Sequence, residues 1–123
     1  MDIVTRLEAA RNRTLSYFDL SAEQLDRNYG SGKWSLRFIL HHLADAKTVP
    51  IDRNCRVLSE PRQVLWAFDQ DAWATGLDHS RLPLDLSRRI YDAVRAGIIF
   101  RLACAMTQTV TVSSSTVKRA CEP

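Results

Sequence analysis

The sequence predicts an all-α fold: a bundle of three main helices followed by an irregular tail. Three observations carry that prediction. Apolar residues recur at helical intervals over three long stretches, residues that cap or break helices stand at the joins, and strand-type alternation is confined to Val110 and Val112. With 123 residues, 46% of them hydrophobic and 25% charged, the chain has the make-up of one globular domain around one core.

The first helix is expected from Asp2 to Phe18. Ile3, Val4, Leu7, Ala10, Leu15 and Phe18 recur on one side, and Arg6, Glu8, Arg11 and Arg13 fill the other. Ser21-Ala22-Glu23-Gln24 has capping-box form, a hydroxyl residue followed three positions later by Gln, and starts a short turn of helix around Leu25. Asn28-Tyr29-Gly30-Ser31-Gly32 breaks the chain after it.

Ser35 is the expected N-cap of a second, longer helix, although position 38 is Phe and not the Glu or Gln of a full capping box. The helical pattern runs on to about Leu58. Pro50 lies inside it; proline removes a backbone donor and clashes with the preceding turn, which predicts a kink or break near Val49.

Residues 60–83, EPRQVLWAFDQDAWATGLDHSRLP, show no sustained period and hold two of the three tryptophans. They read as an ordered connection packed on the bundle, with a short helix around Phe68, Asp69, Gln70 and Asp71. Leu84 to about Cys104 is the third clear helix. Leu86, Ile90, Ala93, Val94, Gly97, Ile98 and Phe100 make its apolar side, and Arg88, Arg89, Asp92 and Arg95 its solvated one. After Met106 the Thr- and Ser-rich stretch TQTVTVSSSTVKRACEP predicts no helix. It reads as a disordered tail or a strand-like arm, so the bundle domain is expected over residues 1–106 and the tail over 107–123.

Charge and cysteine usage narrow the function classes. The 17 basic and 14 acidic residues are spread along the chain without a phosphate-binding stripe, so nucleic acid is not an expected partner. No apolar run reaches membrane-spanning length, and charged residues at 2, 6, 8, 11 and 13 stand where an apolar signal core would lie. The expectation is a cytoplasmic protein with no membrane partner. Cys55, Cys104 and Cys121 are odd in number, widely spaced and without a C-x-x-C, which suggests reduced thiols, with neither a disulfide framework nor a zinc knuckle.

Chemistry concentrates in WSLRFILHHLADA, residues 34–46. At about 100° per residue, Leu36, Ile39, Leu40, Leu43 and Ala46 form the apolar centre of the second helix. His42 falls beside that centre, among Phe38, Ile39, Ala46 and Val49, and is expected to face the interior or a cavity edge. His41 is expected to point away, with Asp45 close by. An inward imidazole must satisfy two ring nitrogens, either by binding a metal through one of them or by hydrogen bonds alone. Taken by itself, the second outcome is the commoner.

Other residues carry a bland and a sharp reading side by side. Trp34 is read as an aromatic plug over the end of the bundle. Trp66, Phe68 and Trp73, interleaved with Asp69 and Asp71, either wall a small-molecule pocket beside His42 or anchor the connection by packing, which is the commoner use. Asp69 and Asp71 read most simply as turn and cap residues, Arg88 and Arg89 as a solvated helix face, and Gly97 as a point of close helix approach.

KWSLRFILHHLADA resembles the second-helix motif of the DinB-like superfamily, particularly its YfiT-like branch of metal-dependent hydrolases and thiol transferases. The resemblance continues through VLSEPRQVLWAFDQDAWATGLDHSRLPLDLSRRIYDAVRAG and covers roughly Met1 to Leu102. It implies an up-down four-helix bundle in which one histidine of the second helix and an H-x-x-x-H pair on the last helix hold a divalent metal, zinc or nickel. Carried over, the first ligand is His42. This sequence has no H-x-x-x-H.

A catalytic zinc normally takes three protein ligands. The implied metal site is therefore incomplete, and a divalent metal is expected to be weakly bound or absent. His79 and Asp45 are the weak substitute ligands, with Asp69, Asp71 and Cys104 behind them. What the resemblance implies is a metal-dependent hydrolase or thiol transferase acting on a small-molecule substrate, or an inactive relative. The alternative is a non-catalytic helical interaction module. Three helices of a four-helix bundle leave one apolar seam uncovered, so a homodimer through the second and third helices is expected, to be broken by a charge at Ile98 or Val94. The abrupt change near Ala103 also resembles that of a truncated or frame-altered relative.

Overall fold

The starts of the helices follow from single capping side chains. In the computed structural model, which describes residues 1–111, Asp2 accepts a hydrogen bond from the Thr5 backbone N–H at 3.0 Å and starts α1 (Ile3–Tyr17). Ser21 accepts from the Gln24 N–H while the Gln24 side chain accepts from the Ser21 N–H, so the expected capping box is present and starts α2 (Ala22–Leu25). Ser35 accepts from the Phe38 N–H at 3.2 Å and starts α3 (Leu36–Ser59). Asp69 accepts from the Ala72 N–H and starts α4 (Gln70–Gly76), where the sequence places a short helix a little earlier. Each such cap contributes on the order of 1 kcal/mol. A 3-10 turn, His79–Arg81, precedes α5 (Leu84–Thr111).

Gly32 makes the one backbone conformation with positive φ, 70°, in the turn between α2 and α3 among the described residues. That turn is closed by an isolated bridge between Asn28 and Ser35. No strand occurs among the described residues, and the fold is an all-α helical bundle, as expected. α3 lies along α5, α1 packs on α5, and α2 packs on α3. Phe18, Leu25, Leu40, Ala44 and Tyr91 form the buried core, with Leu15, Leu36, Leu43 and Ile90 packed around it. A Cβ built on Gly97 would lie 3.4 Å from the Ile51 side chain, so the glycine does allow α5 to approach α3.

Three expectations change. α3 runs unbroken through Pro50. Proline deletes one backbone donor, and the two halves of the helix are both held against α5, as at Ile51 and Gly97. α5 does not end near Cys104 but continues to Thr111, past the expected domain boundary at 106. The Thr107 hydroxyl donates to the Ala103 carbonyl oxygen at 2.6 Å, so a threonine can sit inside the helix with its polar group satisfied. Ile98 is buried and so cannot belong to an open seam; Phe100 and Met106 are the exposed apolar residues of that stretch. The expected tail beyond 111, with Cys121, lies outside the described residues. No helix among the described residues is long and apolar enough to cross a membrane.

Candidate metal centre

Because α3 starts at Ser35, residues 38, 41, 42 and 45 fall within two adjoining rows of its surface, three and four apart. The 3-10 turn is set by Asp78, whose carboxylate accepts from the Ser80 N–H at 2.9 Å, and it brings His79 down onto those rows. The His79 Nε2 lies 2.7 Å from Asp45 Oδ2. Its ring stacks on that of His41, with centroids 5.4 Å apart, and meets Phe38 edge-on at 5.0 Å. The two weak candidates, His79 and Asp45, are thus brought together, 34 residues apart in the chain.

His41 is not on the outside. It is 2% exposed, and its Nδ1 lies 2.7 Å from the hydroxyl of Ser87, which is fully buried on α5. The reason is that α3 is covered on two sides, by α5 and by the 3-10 turn, so the row expected to be solvated is enclosed. Burial first, then the nearby His79 and Arg37, hold the His41 imidazole below its ordinary pKa, against the opposing pull of Asp45. Enclosure therefore favours the neutral form of His41. Ser87 was missed from sequence because a serine on a distant helix carries no local sign of its partner.

His42 faces inward as expected. It is buried, its ring lies 5.1 Å from that of Trp34, and its Nδ1 has no hydrogen-bond partner. Trp34 also packs on Phe38, at 4.8 Å, consistent with a plug over the start of α3. The His79 Nδ1 is likewise buried and unpartnered.

A buried ring nitrogen without a hydrogen-bond partner is available to ligate a metal. Nevertheless the residues do not fit a resident catalytic metal: no three His, Cys, Asp or Glu side chains converge on one point among the described residues. Asp45 is engaged by His79, and Asp69 caps α4. Asp71 stands in the first turn of α4, as its reading as a cap-region residue anticipated.

The aromatic trio does wall a pocket, but not beside His42. Phe68 and Trp73 pack edge-to-face at 4.7 Å, and with Trp66 they border a cavity of about 430 Å³ against Val49 and Arg53 of α3. A second cavity, about 490 Å³, is bordered by Phe38, His41, Leu77 and His79.

A family model described as the DinB superfamily matches residues 6–103. The chain belongs to the DinB superfamily. Over 76 residues it is 36% identical to a protein of Oceanobacillus iheyensis and, over the same length, 36% identical to one of Bacillus licheniformis. It is 31% identical over 75 residues to one of Geobacillus thermodenitrificans. All three bear names that describe candidate metal-dependent hydrolases. The matches cover 62%, 62% and 61% of this chain and 44%, 43% and 42% of those proteins. This DinB-superfamily chain therefore spans less than half the length of the curated relatives it matches. No solved structure matches it.

Proposed function

We propose that this DinB-superfamily chain is a metal-enzyme bundle of the hydrolase or thiol-transferase type, acting on a small molecule, in which His42 is the first ligand of an incomplete metal site. The observation that carries the reading is the buried, unpartnered Nδ1 of His42. Buried polar groups are nearly always hydrogen-bonded, so an orphan here asks for a partner that the described residues do not supply. The names of the relatives as candidate metal-dependent hydrolases support the same class. No catalytic step is derived through a metal, because three ligands do not converge.

Elemental mass spectrometry of the dialysed protein tests this. Wild type is expected to carry zinc or nickel at well under one ion per chain, and His42→Ala to carry none. Metal that survives His42→Ala at the wild-type level would overturn the assignment.

A second reading, a non-catalytic homodimerising module, is favoured by one specific observation: Phe100 on α5 is 66% exposed. Large exposed apolar groups occur at contact surfaces. Metal-free protein whose dimer dissociates on Phe100→Asp, measured by analytical ultracentrifugation, would favour it over the first.

A further inference from the structure

The cavity under the tryptophan-bearing connection has chemistry of its own. Its walls are largely apolar, from Val49, Val64, Leu65, Phe68 and Trp73, and at about 430 Å³ it falls within the roughly 300–1,000 Å³ usual for small-ligand sites. Two cations border it, Arg53 and Arg56, and Arg56 is held by Asp52. The Arg53 Nη2 donates to the Trp66 carbonyl oxygen at 2.7 Å, while its Nε is buried without a hydrogen-bond partner.

Arg53 also lacks an acidic partner among the described residues. Both acids that border the cavity are committed elsewhere: Asp52 pairs with Arg56 at 3.0 Å, and Asp69 accepts from the Ala72 N–H at 2.9 Å. A guanidinium is always charged, and holding it half-buried beside apolar walls without a counter-charge is unfavourable. The bond to the Trp66 carbonyl orients the connection, and the Trp66 ring itself, at the rim of the cavity, is 81% exposed. A charged fork, aromatic walls and an uncovered indole make one recognition set.

We infer that this cavity binds a small aromatic carboxylate, its acid group on Arg53 and its ring between the Phe68–Trp73 pair and Trp66. A planar guanidinium matches a carboxylate in geometry as well as charge, and faces of tryptophan match an aromatic ring. His42 does not border the cavity, so the inference does not rest on the metal reading.

The test is isothermal titration calorimetry of the full chain with 2-naphthoate and with the uncharged 2-naphthalenemethanol. Saturable one-to-one binding of naphthoate is expected, with the alcohol at least tenfold weaker. Arg53→Gln is expected to weaken naphthoate at least tenfold and leave the alcohol unchanged, Arg53→Lys to fall between, and His42→Ala to bind naphthoate as wild type does. Circular dichroism checks that each variant is folded, and the comparison of the two ligands on wild type needs no variant at all. Equal binding of acid and alcohol, no saturable binding, or full naphthoate affinity in Arg53→Gln would overturn the inference. So would a dimer that Trp66→Ala dissociates in a protein that does not take up naphthoate, since the patch would then be a protein interface.

Discussion

The two ends of α3 are made of similar residue types and meet opposite fates. The first half holds Leu40, His41, His42 and Ala44, all buried, with polar rings tied to Ser87 on another helix or left facing inward. The second half, beyond Pro50, exposes Val57 and Leu58, and its Arg56 pairs locally with Asp52 and the C-cap Glu60. The difference teaches that composition does not decide burial along this helix; neighbours do. α5 and the 3-10 turn enclose the first half, while the last turn, at Val57 and Leu58, is left exposed.

Leucines at the two ends make the largest contrast. Leu40 is 1% exposed and Leu58 is 47% exposed. Leu40→Ala is expected to cost about 2–5 kcal/mol through lost burial and a residual cavity, while Leu58→Ala stays within about 0.5 kcal/mol. Urea denaturation measures both. Equal losses would mean that the far end is covered as fully as the near one, by a second copy or another partner.

The contrast also separates what was legible in sequence from what was not. The caps at Ser21 and Ser35 were legible, because each acts on backbone three residues away, whereas Asp2, taken as the first helical residue, is the N-cap of α1. The inward face at His42 was legible for the same reason, since helical spacing fixes which residues share a row. The place of His41 was not, because its partner Ser87 stands 46 residues off and its cover depends on how α5 and the 3-10 turn pack. The meeting of His79 with Asp45 was unreadable on the same ground, and the extent of α5 was misjudged because a Thr-rich composition argues against helix until the Thr107 hydroxyl is seen to find the Ala103 carbonyl.

A smaller effect sharpens the comparison among polar groups. Ser87→Ala removes the partner of a fully enclosed ring nitrogen, which is expected to cost about 1–3 kcal/mol. Ser59, whose hydroxyl donates to the Cys55 carbonyl at 2.6 Å at the exposed end, is expected to lose under about 0.5 kcal/mol on change to Ala, since water replaces what is removed. Similar values for the two would mean that the His41–Ser87 contact is wet, and the enclosed end less dry than its packing indicates.

The subtlest effect is on pH. In the unfolded chain His41 takes up a proton near the ordinary imidazole value of 6.5; in the fold, burial and the neighbouring His79 and Arg37 hold that pKa lower. Between the two values the unfolded state binds more protons than the native state, so native stability rises with pH in that window. The contribution is whole above 6.5 and is lost progressively as pH falls toward the native value. One such group gives a slope of at most about 1.4 kcal/mol per pH unit. His41→Gln keeps a polar group within reach of Ser87 but removes the titration, so its stability should fall less steeply on acidification than that of wild type. Parallel slopes for the two proteins, measured by urea titration from neutral to mildly acid pH, would show that the enclosure of His41 does not set its protonation in the fold.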